Sequence, residues 1–402
     1  MQKFFKDVEF LYPKEIDAEG LVLRSSLEPF SDEVIDYLNA LSKELNKDPR
    51  TRLYPDVATF GFFCRRANIL FLKKRYDSED NLRVGRGIVF HIAPSNVPVN
   101  FAYSLISGML AGNLNIVRVP SKKFEQVNII VDAIKHLGSE AKHHKITSRI
   151  ILVSYNRQSI ATQYFSSICD VRVIWGGDET IAKIRKNAIP PKSFDVTFAD
   201  RYSLCVINAD EYIKESSPEK IAQAFYNDTY LFDQNACTAP HLVIWLGSDE
   251  NVDLAKRIFW DNLSELVKSK YKVQPVIAID KLTTFYNQAT QMDQIRKTAM
   301  PDNLIWRIEL KNLETNIHEY RCTSGYFSEF HANSLSEISK IIDRRYQTLS
   351  YYGIAKKELK KFILQERPVG IDRIVQVGRT SDFSLTWDGF NLINTLTRIV
   401  DI

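Results

Sequence analysis

Two adjoining stretches decide the architecture: Gly87-Ile88-Val89-Phe90-His91-Ile92-Ala93-Pro94-Ser95-Asn96-Val97-Pro98, and Gly112-Asn113-Leu114-Asn115-Ile116-Val117-Arg118-Val119-Pro120-Ser121. Each is a short apolar run closed by a proline-containing turn, and Val99 to Ala111 between them has a helical pattern that Gly112-Asn113 stops. Runs too short for a helix and bounded by turn residues read as strands buried on both faces, the mark of a parallel sheet with crossover helices. Gly87 to Val117 holds no Asp, Glu, Lys or Arg, and that length would span a bilayer if it were apolar throughout. His91, Pro94, Ser95, Asn96, Pro98, Asn100, Asn113 and Asn115 would leave polar groups in hydrocarbon, so the segment reads as a buried core with a polar loop and not as a membrane span.

The rhythm continues outward. Ser121 is placed to cap a helix whose apolar positions Val127, Ile130, Val131 and Ile134 recur at three and four. Ile150 to Val153 and Val171 to Trp175 read as further strands, with a helix near Ser159 to Phe165 between them. After Gly176-Gly177, Asp178 is placed to cap a helix to about Asn187. Four strands alternating with helices predict an open α/β domain. Upstream, Val34, Ile35, Leu38, Leu41 and Leu45 fit a surface helix. The pattern restarts near residue 203: strands over Tyr202 to Asn208 and His241 to Trp245, a helix around Glu219 to Phe225, a long amphipathic helix over Asn251 to Lys268, and Val273 to Asp280 resembling a strand. The expected division is residues 1–200, 201–385 and a C-terminal segment 386–402, available for packing or oligomerisation. The run Lys356 to Lys361 reads as the solvated face of a helix.

Composition bounds the function. The 402 residues are 45% hydrophobic and 25% charged, with 15 Gly and 14 Pro, which excludes collagen-like and disordered classes. A net charge of +4 demands no nucleic-acid partner. Five scattered cysteines without a C-x-x-C pair suggest reduced thiols and a cytoplasmic setting. The first residues have no apolar signal-peptide core. No H-E-x-x-H or paired-cysteine spacing is present, so no metal is expected.

In parallel sheets ligands bind beyond the carboxyl ends of the strands. Three loops there combine turns with polar groups: Ala93 to Pro98, Pro120 to Lys123 and Gly176 to Thr180. Gly176-Gly177 sits where glycine lets backbone approach a phosphate at a helix N-terminus, or simply makes a tight turn. Arg118, with Lys122 and Lys123, suits an adenosine ribose or its 2′-phosphate; the alternative is a strand-end arginine beside two solvated lysines. Among the thiols Cys237 stands out, in the polar loop Phe232-Asp233-Gln234-Asn235-Ala236-Cys237 before an apolar strand. A thiolate attacks an acyl carbon and leaves again readily, although a small buried hydrophobe is the alternative for any cysteine. His241 is a base or a structural residue, and His143-His144 reads as a solvated loop.

Taken together, Ile92 to Phe101, Leu110 to Ser121, Trp175 to Asp178, Phe232 to Cys237, Val369 to Val375 and Asp382 to Gly389 resemble the LuxC family of acyl-CoA and acyl-protein thioester reductases, within the aldehyde dehydrogenase superfamily. The resemblance implies an aldehyde-dehydrogenase-like α/β fold, with an open parallel-sheet cofactor-binding domain and a second α/β catalytic domain. It makes Cys237 the nucleophile and pairs Asn96 with the Cys237 backbone N–H as an oxyanion hole. Arg118 and Ser121 match the adenosine-ribose contact, where a lysine is usual in place of Arg118, and Gly176 and Gly177 match the turn beneath the pyrophosphate. The cations favour NADPH. An acyl thioester substrate, an acyl-protein synthetase partner and a homo-oligomer follow by the same resemblance. One departure is informative: around Thr197 to Ser203 there is no E-L-G-G-K motif, whose glutamate activates water in oxidising relatives, so an acyl-enzyme should persist long enough to be reduced. Asp200 and His241 are the candidates for a proton donor. Two alternatives stay open: a CoA-acylating, NAD-dependent aldehyde dehydrogenase, and a non-catalytic scaffold on the same fold.

Overall fold

The computed structural model describes residues 5–15, 25–76, 82–94, 97–299 and 302–402. They divide into two compact units: residues up to Ala199 together with Leu385–Ile402, and Asp200–Ser384.

The first unit is built on a six-stranded sheet. Its strands lie in the order Glu9–Tyr12, Ile150–Ser154, Leu114–Arg118, Ile88–Ile92, Val171–Trp175, Phe194–Phe198. All pairings are parallel except that of Glu9–Tyr12 with Ile150–Ser154. Every residue of Ile88–Ile92 and Val171–Trp175 is buried, as expected of strands covered on both faces. The segment without charges is therefore strand, helix Asn100–Leu110 and strand. No helix among the described residues is long and apolar enough to cross a membrane.

The core of this unit contains a polar seam. The Trp175 indole N–H donates to Ser104 Oγ at 3.0 Å, and Ser104 Oγ lies 2.7 Å from His91 Nδ1. His91 Nε2 lies 3.1 Å from Asn115 Oδ1, and Asn115 Nδ2 donates to the Asn113 carbonyl at 2.9 Å. One proton arrangement satisfies the whole chain: a neutral imidazole with its hydrogen on Nε2. Burial agrees, pushing the His91 pKa down to about 4. The helix Asn100–Leu110 comes so close that a Cβ on Gly108 would sit 1.8 Å from Asn115 Oδ1.

Two expected caps differ. The helix that buries Val127, Ile130, Val131 and Ile134 runs Glu125–Gly138, and its N-cap is Phe124. Ser121 lies before that cap, in the exposed turn that leads to it. Gly177, not Asp178, is the N-cap of Asp178–Arg185. His143 is buried rather than solvated, edge-on to Tyr37 at 5.6 Å. The C-terminal segment packs within the first unit: Thr397–Val400 pairs antiparallel with Leu82–Gly85, and Leu392, Ile393 and Leu396 are buried.

The second unit has a seven-stranded sheet in the order Arg296–Ala299, Trp306–Glu309, Tyr326–Ala332, Pro240–Leu246, Tyr202–Asn208, Tyr346–Tyr352, Arg373–Gln376. Only the Arg296–Ala299 edge pairs antiparallel. Buried Glu329 on the strand Tyr326–Ala332 accepts from Arg307 Nε at 2.6 Å and from the indoles of Trp245 and Trp260 at 3.0 and 2.7 Å. The expected strand over Val273 to Asp280 is wrong: Val276–Gln291 is a helix. Its run Val276-Ile277-Ala278-Ile279 looks strand-like only because apolar residues here face outward, while Lys281 and Gln288 fill the buried positions.

Candidate active site

In the first unit the strand order reverses beside Ile88–Ile92, whose two parallel neighbours lead to Ile150–Ser154 on one side and Phe194–Phe198 on the other. The crevice beyond the carboxyl ends of Ile88–Ile92 and Val171–Trp175 is the place where such sheets bind ligands. The Ala93 to Pro98 loop and the Gly176-Gly177 turn leave the sheet there. Ser95 and Asn96 lie outside the described residues, so the position of the expected oxyanion donor Asn96 is not part of this geometry.

Gly176 and Gly177 lead into the helix Asp178–Arg185, with Gly177 at φ −64° and ψ 161°, ordinary extended backbone. A Cβ on Gly177 would meet nothing within 4 Å, and one on Gly176 would only touch the Thr180 side chain at 3.3 Å. Neither backbone strain nor packing calls for glycine at position 177. The turn therefore leaves open space at the helix N-terminus, where backbone N–H groups can receive an anionic group.

Arg118 ends the strand Leu114–Arg118, the neighbour of Ile88–Ile92. Its guanidinium donates from Nη2 to the Tyr155 carbonyl at 3.1 Å and lies over the Tyr155 ring at 4.8 Å. No carboxylate pairs with it among the described residues, and its buried Nε has no hydrogen-bond partner. Burial, with the like charge of Arg157, pushes its pKa down, yet an arginine remains a cation. A held cation with an unmet N–H fits an anionic or hydroxylated ligand. Ser121, Lys122 and Lys123 follow within one turn and are exposed.

Cys237 belongs to the second unit, in the loop that enters the amino end of Pro240–Leu246. It is the one cysteine that is not buried. Burial pushes the Cys169 and Cys205 thiols up to about 12 and also raises those of Cys64 and Cys322, so these four are poor nucleophiles at neutral pH. After the short 3-10 turn Tyr230–Phe232, Asp233 and Gln234 both take left-handed backbone, at φ 52° and 60°. That kink is held from both sides. The Gln234 side-chain amide, 1% exposed, donates to the Pro240 and Tyr326 carbonyls, each at 3.0 Å, and accepts from the Gly325 and Tyr326 N–H groups at 2.9 and 3.1 Å. Gly325 has φ 92°, and a Cβ there would lie 2.2 Å from the Leu304 carbonyl, so only glycine brings this backbone close enough. Tyr271 donates to Asp233 at 2.5 Å, and Ser203 Oγ–H donates to the Cys237 carbonyl at 2.7 Å. The thiol thus sits on a loop anchored to three strands. Gln234, Ser203, Gly325 and Tyr271 had no sequence signal as supports, because each acts through a partner distant in the chain.

The two candidates for a proton donor lie in different surroundings. His241 is buried, stacked on Tyr202 at 5.7 Å, and burial together with Arg321 pushes its pKa down to about 3. A neutral imidazole in the core carries no proton to give as a cation. Asp200 is ion-paired with Arg321.

Comparison with known proteins converges on one group. A model for acyl-CoA reductase (LuxC) matches residues 69–399. The long-chain acyl-protein thioester reductase of Aliivibrio fischeri is 22% identical over 328 residues, 78% of this chain and 64% of that protein. Its namesake from Vibrio harveyi is 24% identical over 324 residues, with the same shares covered. The chain therefore spans somewhat less than two thirds of the length of these relatives. Among solved structures, an NAD-dependent benzaldehyde dehydrogenase from Corynebacterium glutamicum superposes with a TM-score of 0.61 at 14% identity, covering 93% of this chain and 85% of that one. The fold is that of the aldehyde dehydrogenases, and with a family match over most of its length the chain belongs to the LuxC acyl-CoA reductase family.

Proposed function

We propose that this protein reduces a fatty acyl thioester, from an acyl-CoA or an acyl-protein, to an aldehyde through an acyl group carried on Cys237. The observation that carries the reading is the Cys237 loop: one half-buried thiol out of five, on backbone pinned through Gln234, in a family of acyl reductases. In the first step the Cys237 thiolate attacks the thioester carbon, the carbon–sulfur bond to the donor breaks, and the donor leaves as a thiolate that takes a proton from solvent. A peptide N–H at Cys237 and the Asn96 amide would stabilise the oxyanion of that step. A nicotinamide, when bound, would supply a hydride to the acyl carbon. The resulting hemithioacetal oxyanion on Cys237 would collapse to free aldehyde and regenerate the thiolate; one solvent proton per turnover, taken by the departing donor sulfur, completes the balance and no water is added.

The first unit has residues that fit the cofactor. Arg118 with its unmet Nε would hold the adenosine ribose and its 2′-phosphate, which favours NADPH, and Ser121 follows it by one short turn. Gly177, open where a Cβ would project, would admit the pyrophosphate to the helix N-terminus. The stretch 197–203 offers no glutamate to activate water, and its single acid, Asp200, is engaged by Arg321. Both facts favour reduction of the acyl-enzyme over hydrolysis. An acyl-protein synthetase as donor and assembly into a homo-oligomer belong to the same proposal. The test is aldehyde formation from acyl-CoAs of several lengths with NADPH, for wild type and Cys237→Ala. Loss of aldehyde in the folded variant supports the reading; aldehyde at the wild-type rate sinks it.

A further inference from the structure

Between Arg50 and Arg75 the sequence carries seven Lys and Arg against one acid, Asp56. The rest of the chain carries 46 basic and 48 acidic residues, out of totals of 53 and 49, so the whole positive surplus comes from this one segment. It folds as a 3-10 turn Pro49–Leu53 and two short helices, Pro55–Phe63 and Arg66–Lys73, both packed on the helix Asp32–Lys47. Two of its cations are neutralised: Arg50 by Asp48, Glu125 and Asp132, and Arg66 by Asp36. Arg52, Arg65, Lys73, Lys74 and Arg75 have no carboxylate partner among the described residues.

The faces turned away from Asp32–Lys47 should be polar on an ordinary surface helix. They are not. Leu53 is 76% exposed, Phe62 57%, Leu70 37% and Phe71 57%. Ala67, Leu70, Phe71 and Lys74 are exposed at the spacing of one helical face, while only Ile69 and Leu72 of that helix are buried. The Arg65 guanidinium lies over the Phe62 ring at 4.4 Å and that of Arg75 over Phe71 at 5.1 Å. Exposed apolar residues scattered singly need no explanation, but four within nineteen residues do, interleaved as they are with five cations that no carboxylate among the described residues pairs.

We propose that this helical pair is a docking surface for an anionic lipid bilayer, with Phe62, Leu70 and Phe71 entering the headgroup boundary and these cations meeting lipid phosphates. Charge complementarity selects this occupant. Aromatic side chains flanked by arginine and lysine suit an interface that is apolar within and negative at its surface. A soluble acidic partner would not call for the exposed phenylalanines, and a second copy of the chain would bring the same five cations against each other. The inference is independent of the chemistry assigned to Cys237, and either can fail alone.

The test is flotation of the full chain with vesicles of phosphatidylcholine, and of phosphatidylcholine with about one third phosphatidylglycerol, at low and high salt. Wild type is expected to float with the anionic vesicles at low salt, to be released as salt rises, and to remain behind with the zwitterionic ones. Phe62→Ser with Phe71→Ser, and separately Arg65→Gln with Lys74→Gln and Arg75→Gln, should each weaken partitioning by about tenfold or more. All five positions are exposed, so thermal unfolding should stay at the wild-type temperature and certify the fold. Absence of flotation with anionic vesicles at low salt overturns the proposal, as does flotation that both variants retain. A wild-type dimer that Phe62→Ser with Phe71→Ser splits would overturn it too, by showing that a second copy covers the face.

Discussion

Replacing Gln234 with alanine removes an amide that makes four hydrogen bonds of 2.9 to 3.1 Å, all to backbone, at a site 1% exposed. At a net contribution of about 1 kcal/mol each, the loss is about 4 kcal/mol, falling toward about 2 kcal/mol where water enters the vacated space. The loop itself should then loosen, because its left-handed residues Asp233 and Gln234 lose the tie that holds them. Two assays read this. Urea unfolding should show the destabilisation, and alkylation of Cys237, followed by intact mass in native buffer, should accelerate by about tenfold as the loop frays. Acylation by a thioester should instead slow by about a hundredfold, since a misplaced nucleophile loses its orientation. Gln234→Glu sharpens the test. It keeps the shape, but an ionised carboxylate cannot donate to the Pro240 and Tyr326 carbonyls. Burial would raise the folded-state pKa of the new carboxyl above its unfolded value. The deficit relative to wild type is therefore smallest at acid pH, where the protonated carboxyl still donates one of the two bonds, and grows as pH rises through that folded pKa. A Gln234→Ala protein destabilised by less than about 1 kcal/mol, with wild-type alkylation, would refute the claim that this amide pins the loop.

Gly177→Ala should leave stability within about 0.5 kcal/mol of wild type, since a Cβ there meets nothing, yet weaken NADPH binding about tenfold or more by fluorescence titration; unchanged binding would place the pyrophosphate elsewhere. Arg118→Gln should raise the NADPH dissociation constant by about ten- to a hundredfold and that of NADH much less, and an equal effect on both would remove the 2′-phosphate from its role. Stability should also fall on acidification. His91 and His241 have folded pKa values of about 4 and about 3, below the ordinary 6.5. The unfolded chain therefore binds more protons between those values and 6.5, and folded-state stability drops as pH falls through that window, by about 2 kcal/mol for each histidine between pH 6.5 and pH 5. Urea unfolding at pH 7 and pH 5 checks this, and His91→Gln should flatten the slope; an unchanged slope would mean that His91 is not the titrating group.

The strands of the first unit were legible because full burial writes itself as unbroken apolar runs, as in Ile88–Ile92 and Val171–Trp175. The candidate loops were legible for a related reason. Turn residues mark the ends of strands in a parallel sheet, and Arg118, Gly177 and Cys237 all lie at such ends. Val276–Gln291 misled because its apolar residues face outward and its buried face holds Lys281 and Gln288, inverting the usual pattern. Strands such as Tyr326–Ala332 were hidden by buried polar residues: Glu329 looks like a solvent position until Arg307, Trp245 and Trp260 are found around it. The supports of the Cys237 loop were invisible for the deepest reason. Gln234 is a polar residue in a polar stretch, and only its four backbone partners, six to ninety-two positions away, reveal that it is core.

The central claim is that Cys237 carries the acyl group, and intact-protein mass spectrometry with peptide mapping tests it most directly. The chain is mixed with acyl-CoAs of several lengths, with and without NADPH. A mass increase of one acyl group, mapped to Cys237, absent in Cys237→Ala and discharged as aldehyde when NADPH is added, is the expected result. An adduct mapped to another residue, or an adduct on Cys237 that NADPH leaves in place, would contradict it.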